Sequence, residues 1–367
     1  MKKLFNIAPI FTIFMCLFII SGCSNNTISN SSQKYMQITD SLGRTVDVPV
    51  NASKFACVGP GCLRLYCYVA DTKQLVGVEN FEVTTETNGK PYMMANPQLK
   101  SYPIIGFGGP GNTPDAERLI KSGADVIFTM YNYQVSDVDE LQEKTGIPVI
   151  ALSYGVNEVF DPALNNSLLI IGKVTGSEER ANEIVNYING IKEDLDKRTS
   201  SIPDDKRPAV YFGADSYGGE LGITSTTGNY SLFNAVHAKN VVDQIGIHEY
   251  VVLDKEKILE MNPGIIFLDA GGLGIVKEDY DKNPGYYAQL SAFKNNHVYL
   301  LLPYNYYYTN IEIGLANAYY IGKVLYPDQF SDIDPAKKFD EITTKMLGKA
   351  LYQENAERYG PYGTVSF

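Results

Sequence analysis

The sequence holds no tryptophan and only three histidines, His237, His248 and His297, none of them near another in the chain. It contains no HExxH, GxSxG or P-loop motif. That removes the helix-borne zinc protease, the serine nucleophile elbow and the phosphate-cradling loop. No nucleophile stands beside a base, so a non-enzyme is expected. His237 reads as a helix residue and His297 as the residue before a strand. Each histidine is structural unless a metal or a haem recruits it. Cysteine is scarce too, and three of the five, Cys57, Cys62 and Cys67, fall within eleven residues. An odd set this close cannot all pair, and a five-residue spacing does not put Cys62 and Cys67 on one helical face. They read as small buried hydrophobes, with metal ligation or a disulfide as the alternative. Cations are outnumbered: 31 Lys and Arg against 42 Asp and Glu leave a formal charge of -11. That excludes a nucleic-acid partner and disfavours a highly anionic ligand unless its cleft is locally basic.

Long apolar runs are also missing, apart from the first one. Lys2 and Lys3 precede the apolar segment Leu4 to Ile20, which closes on Ile20-Ser21-Gly22-Cys23. This resembles a bacterial lipobox, so residues 1–22 are expected to be a signal peptide and Cys23 a diacylated mature N-terminus. A plain transmembrane anchor is the alternative. Removing Lys2 and Lys3 moves the formal charge from -11 to -13. Residues 23–36 are polar and read as a flexible tether. No later stretch approaches the roughly 18 apolar residues of a membrane span. The expected location is extracytoplasmic, lipid-anchored to the cell membrane.

What is present is organised around Asp161 to Thr199. Asp161-Pro162 is an N-cap followed by Pro at the first helical position. Leu164, Leu168 and Ile171 carry a short helix that Thr175-Gly176 breaks. Ala181, Ile184, Val185, Ile188, Ile191 and Leu195 then mark the buried stripe of a long one. From Ser177 to Thr199 it would extend about 33 Å at 1.5 Å per residue, about the width of a lobe. An internal repeat flanks it. Glu117 to Phe128 before it and Glu256 to Phe267 after it both read as acid, amphipathic helix, tight turn and buried strand. The pattern predicts two related α/β lobes, 37–160 and 207–367, joined by a helical linker at 161–206.

Binding residues are expected beyond the carboxyl ends of strands. Gly59 and Gly61 turn a strand ending at Val58 into a helix whose first turn carries Arg64. Gly108-Gly-Pro-Gly111 follows another strand, and Tyr131 and Tyr133 a third. Glu82 to Tyr102 reads as a polar, Pro-rich loop. In the second lobe the long loop Asp215 to Tyr230 offers Tyr217, Thr224 and Ser225. Asp269 to Gly274 ends one strand, and Tyr304 and Tyr306 follow another. The helices Asn310 to Leu325 and Pro335 to Arg358 close the fold. With 27 tyrosines, the strand ends offer phenol faces for a flat or apolar ligand, and phenolate is a hard donor for ferric iron.

The lipobox, Thr39-Asp-Ser-Leu-Gly-Arg-Thr-Val-Asp-Val-Pro49, Ala116 to Phe128 and the helix after Ser177 together resemble substrate-binding proteins of ABC importers for iron–siderophore, haem and cobalamin. Leu221 to Tyr230 and Tyr304 to Ile311 resemble an iron-complex subgroup. The resemblance covers nearly the whole mature chain. It implies the class III periplasmic-binding-protein fold, two Rossmann-like lobes bridged by a long α-helix with little hinge closure. It implies a monomer without an intrinsic cofactor, whose bound ligand is an iron complex (a ferric siderophore) or a tetrapyrrole such as haem or cobalamin. It also implies an ABC permease as partner, whose arginines would meet Glu117 and Glu256. Arg64 is the one good cleft arginine, whereas relatives that take anionic siderophores present several. The alternative is an oxyanion such as molybdate or tungstate, held by loop amides and the hydroxyls of Ser225 and Thr226. A surface enzyme or adhesin is the third reading.

Overall fold

The computed structural model of the chain describes residues 34–85, 89–131, 134–156, 158–216 and 219–367. The lipobox with Cys23, most of the tether, Tyr133 and Tyr217 lie outside the described residues. β1 (Tyr35–Thr39) and β2 (Thr45–Pro49) form the expected antiparallel hairpin. β3 (Phe55–Val58) runs through Gly59-Pro60-Gly61 into α1 (Cys62–Val69). After β4 (Val78–Glu79) the stretch read as a loop is largely ordered. It carries α2 (Asn80–Thr84), α3 (Pro91–Ala95) and a 3-10 turn at Pro97–Ser101. Pro91 and Pro97 start helical turns there, where a missing N–H costs nothing. Tyr92, Met93 and Leu99 are buried and hold the segment down. β5 (Ile104–Gly106), α4 (Ala116–Ser122), β6 (Val126–Thr129), α5 (Val135–Thr145) and β7 (Val149–Ala151) complete the lobe. β3, β6 and β7 pair in parallel in that order, and β4 pairs in parallel with β5.

α6 (Pro162–Thr175) and α7 (Glu178–Thr199) follow as the spacing predicts. The Asp161 carboxylate accepts from the Ala163 amide at 2.8 Å and caps α6. Ser177 stands at the N-cap of α7 without a capping side-chain bond. In the second lobe come β8 (Ala209–Gly213), β9 (Ser225–Thr227), α8 (Ser231–Ala235), β10 (Lys239–Asn240), β11 (Tyr250–Val252), α9 (Lys255–Met261) and β12 (Ile265–Asp269). They are followed by α10 (Leu273–Lys282), α11 (Pro284–Tyr287), α12 (Ser291–Lys294), β13 (Val298–Leu301), α13 (Ile311–Leu325), α14 (Pro335–Leu347), α15 (Tyr352–Tyr359) and β14 (Gly363–Thr364). The expected loop Asp215 to Tyr230 thus contains a strand, paired antiparallel with β11. The single closing helix is two, broken at Gly348 (φ +75°), which no continuing helix could adopt. His237 is not helical either, lying past α8 at φ +52°. The sheet order is β10-β8-β12-β13-β14, parallel except for β14 at the edge. Each copy of the repeat supplies a central strand, β6 between β3 and β7 and β12 between β8 and β13.

Burial explains why the lobes cohere. Phe55 and Cys57 of β3 face one core while Ala56 and Val58 face another, the two-residue period of a strand covered on both sides. Val210 and Phe212 of β8 face that same first core, and Tyr211 an outer one. The shared core includes Ile184, Ile188 and Leu195 of α7 with Leu315 and Ile321 of α13. Cys57 and Cys62 also lie in it, with Cys67 packed against it, and all three thiols are free. Among the described residues no helix is long and apolar enough to cross a membrane.

The α6–α7 corner is tight. A Cβ added at Gly172 would stand 2.4 Å from the Ala181 Cβ, whereas one at Gly190 would meet nothing within 4 Å. We therefore expect Gly172→Ala to destabilise by about 1–3 kcal/mol through overpacking. Gly190→Ala should stabilise by up to about 1 kcal/mol through helix propensity. Urea unfolding of the two variants checks both signs.

Candidate ligand cleft

The carboxyl ends of the first lobe's strands converge on glycines. Gly59 (φ +93°) and Gly61 (φ +77°) follow β3. A Cβ on Gly59 would lie 2.9 Å from the Tyr131 nitrogen, and one on Gly61 2.7 Å from the Tyr154 hydroxyl. Only glycine serves where backbone turns left-handed under such close neighbours. The Gly59 amide donates to Glu79 Oε2 at 3.0 Å, and the Tyr154 hydroxyl to the Gly61 carbonyl at 3.0 Å. Glu79 ends β4 and is buried. Burial raises its carboxyl to about 7, although the bond from Gly59 pulls the other way.

Arg64, the one arginine expected in the cleft, is fully buried. Its Nε donates to Asn310 Oδ1 at 2.8 Å, Nη2 to the Tyr306 carbonyl at 2.7 Å and Nη1 to the Tyr307 carbonyl at 3.2 Å. The guanidinium also lies 4.8 Å from the Tyr92 ring centroid. Among the described residues it joins no ion pair within 4 Å. One of its acceptors is the Tyr154 hydroxyl at 3.4 Å, and the other three are neutral oxygens of the segment after β13. That segment enters the first lobe again at Tyr307, whose hydroxyl accepts from the Gly109 amide at 2.9 Å and donates to Glu79 at 3.1 Å. Asn310 donates to the Gly89 carbonyl at 2.8 Å, and the Tyr68 hydroxyl bonds Glu312. Beside them Lys90 is buried, 3.6 Å from Glu82. Burial pushes the Glu82 carboxyl up and the Lys90 ammonium down.

The second lobe contributes acids. Asp215 follows β8, accepts from the Thr227 hydroxyl, and is raised to about 6 by burial. Asp269 ends β12, accepts from the Gly271 amide at 2.7 Å, and is raised to about 8 by burial.

Gly59, Gly61, Arg64 and Tyr131 gather at the first lobe's strand ends, and Tyr304 and Tyr306 at the second's. Ser225 donates instead to the Asp215 carbonyl at 2.6 Å, bracing its own loop, and the Thr224 carbonyl accepts from the Leu253 amide. Glu79, Tyr154, Asn310, Asp215 and Asp269 stand at these strand ends too and were not among the expected candidates, whereas Tyr307 was one of the strand-end tyrosines. An acid closing a buried strand, as at Glu79 and Asp269, was the signal available. His297 sits at the amino end of β13, away from the strands' carboxyl ends, and His237 bonds Thr199 of α7 at 2.9 Å. Among the described residues no three His, Cys, Asp or Glu side chains gather as a metal site.

The family model described as periplasmic binding protein matches residues 56–304, more than half of the chain. The chain belongs to the periplasmic binding protein family. It is 24% identical over 360 residues to the molybdate-binding protein MolA of Haemophilus influenzae, covering 93% of this chain and 99% of that one. It is 20% identical over 295 residues to YvrC of Bacillus subtilis, described as an uncharacterized ABC transporter substrate-binding lipoprotein, covering 78% of this chain and 87% of that one. Among solved structures, molybdate-bound MolA superposes with a TM-score of 0.67 at 23% identity, covering 86% of this chain and 98% of that one. The periplasmic haem-binding protein HutB of Vibrio cholerae does so at 0.55 and 17%, covering 75% and 99%. These likenesses place the fold in class III of the periplasmic binding proteins, and the protein is a solute-binding component of an ABC importer.

The buried acids set a pH dependence. Glu79, Asp215 and Asp269 hold their protons more tightly in the folded chain than unfolded carboxyls do, near pH 4. Their contribution to stability is therefore complete below about pH 4 and lost as pH rises through about 6, 7 and 8. Asp269→Asn should flatten the fall in stability between pH 4 and 8 by roughly 2 kcal/mol or more. Thermal melts of variant and wild type across that range check it. Parallel pH profiles would show that Asp269 does not titrate there.

Proposed function

We propose that the protein captures a small oxyanion of the molybdate or tungstate type outside the cytoplasm and delivers it to an ABC permease. The observation that carries this reading is Arg64, a buried cation in the cleft bonded to neutral oxygens rather than to a carboxylate. Desolvated guanidinium bonds charged oxygens more strongly than neutral ones, and in bidentate geometry. An anion entering the cleft therefore gains more at Arg64 than the carbonyls there give. The alignment with a molybdate-binding protein over 93% of the chain supports the same ligand class. It moves the reading from the iron complex or tetrapyrrole first expected toward the oxyanion. The haem-binding fold relative and the cleft tyrosines favour the tetrapyrrole as the second reading. The chemistry needed is binding alone, with no bond made or broken.

Calorimetric titration with molybdate, tungstate, sulfate, a ferric hydroxamate and haemin separates the two readings. We expect molybdate and tungstate to bind, and Arg64→Lys to weaken them tenfold or more, about 1.4 kcal/mol. Tight haemin or ferric hydroxamate binding without molybdate binding would overturn the assignment.

In this reading Glu117 and Glu256 meet the permease. Both are exposed and stand in the first turns of α4 and α9, equivalent helices of the two lobes. Paired charges fix register more than affinity. The membrane link is a lipid on Cys23, which also explains an extracytoplasmic site of action. In cells, Glu117→Ala with Glu256→Ala should lower molybdate uptake severalfold while the purified double variant binds normally. Cys23→Ala should lose fatty-acid label. Uptake at the wild-type rate in the double variant would leave these residues as solvated helix acids.

A further inference from the structure

The turn at Tyr306–Tyr308 makes, in the first lobe, the contacts a bound ligand would make. Its carbonyl oxygens at Tyr306 and Tyr307 take two donors of Arg64 at 2.7 and 3.2 Å. The Tyr307 phenol oxygen takes the Gly109 amide at 2.9 Å and reaches Glu79 at 3.1 Å, while its ring lies 4.4 Å from that of Phe81. Each of these hydrogen bonds joins residues 198 or more positions apart. Glu79 ends β4, Gly109 lies in the turn after β5, Arg64 is in the first turn of α1 and Phe81 is in α2 directly after β4, all beyond carboxyl ends of strands, where ligands of parallel sheets bind. The turn is also strained. Tyr307 and Tyr308 are both left-handed, at φ +52° and +74°, which bulky residues adopt only where their surroundings force them to. Two local bonds, Tyr306 N–H to the Tyr308 carbonyl at 3.1 Å and Asn310 N–H to the Tyr304 carbonyl at 2.6 Å, hold it in that shape.

We infer that Tyr306–Tyr308 is an internal occupant of the Arg64 site, an autoinhibitory turn that an oxygen-rich ligand expels in order to bind. The phenol and carbonyl oxygens mark where ligand oxygens go. The backbone strain favours release once those oxygens are replaced. Ligand affinity is then the intrinsic affinity reduced by the fraction of molecules whose turn is out. The inference rests on the oxyanion reading only for its probe.

Tyr307→Phe removes the phenol's bonds to Gly109 and Glu79 and keeps the ring. It should bind molybdate three- to tenfold more tightly than wild type, because the internal competitor is weaker. In wild type, saturating molybdate should speed hydrogen exchange of the 304–310 amides by tenfold or more. Unchanged or weaker binding by the variant, or slower exchange on adding molybdate, overturns the inference. If neither protein binds molybdate, the oxyanion reading fails, and ligand-free chemistry decides about the turn. Phenylglyoxal should then modify Arg64 severalfold faster in Tyr307→Phe than in wild type, with exposed Arg118 as the rate control. Equal Arg64 rates would show that the turn does not cover the site.

Discussion

The structure depends on a single apolar core that both sheets share. On the inner face of β3 Phe55 packs against Tyr66 of α1, on that of β8 Phe212 stacks on Tyr230 beside α8, and both belong to one cluster with buried residues of α6 and α7. Separate lobes could close around a ligand by rotating on a linker. These would have to expose Ile184, Leu195 and Leu315 to do so, at about 25 cal/mol per Å² of apolar surface. Short surface segments can move without that cost. The segment after β13 is the one that crosses from one lobe into the mouth of the other.

That crossing is polar where the core is not. Arg64, Asn310 and Tyr307 bring a guanidinium, an amide and a phenol to the same dry place, and each finds a partner across the cleft. An unpartnered guanidinium at such a depth would be costly. The Tyr306 and Tyr307 carbonyls meet that need. Among the described residues no carboxylate bonds that cation directly: Glu79 binds an amide and a phenol and Asp269 an amide, while Glu82 and Glu312 act on it through space. Burial raises the Glu79 and Asp269 carboxyls, which lessens the negative charge they carry near neutral pH.

Much of this was legible in the order of residues. The stripe from Ala181 to Leu195, the Asp161-Pro162 start, the glycines around β3 and the repeated acid-helix-strand unit each follow from a local rule. Such a rule involves residues within about two turns of one another or a period of 2 or 3.6. Those rules set the two α/β lobes, the long helix and the strand ends. Where local signals were misleading, burial overrode them. Glu82 to Tyr102 looks like a polar loop because its prolines and charges dominate the count, yet Tyr92 and Leu99 bury it. Pro335 to Arg358 looks continuous because Gly348 alone is a weak stop.

The amino-acid sequence by itself determined the α/β fold class, since periodicity and turn chemistry are properties of adjacent residues, and the order of its motifs carried the resemblance to the family. Only the tertiary structure decided what Arg64 touches, which acids are buried, and that Tyr307 reaches Glu79 across 228 positions. The physical reason is that hydrogen-bond geometry and desolvation are set by which distant segments are packed together. No spacing within one segment encodes that.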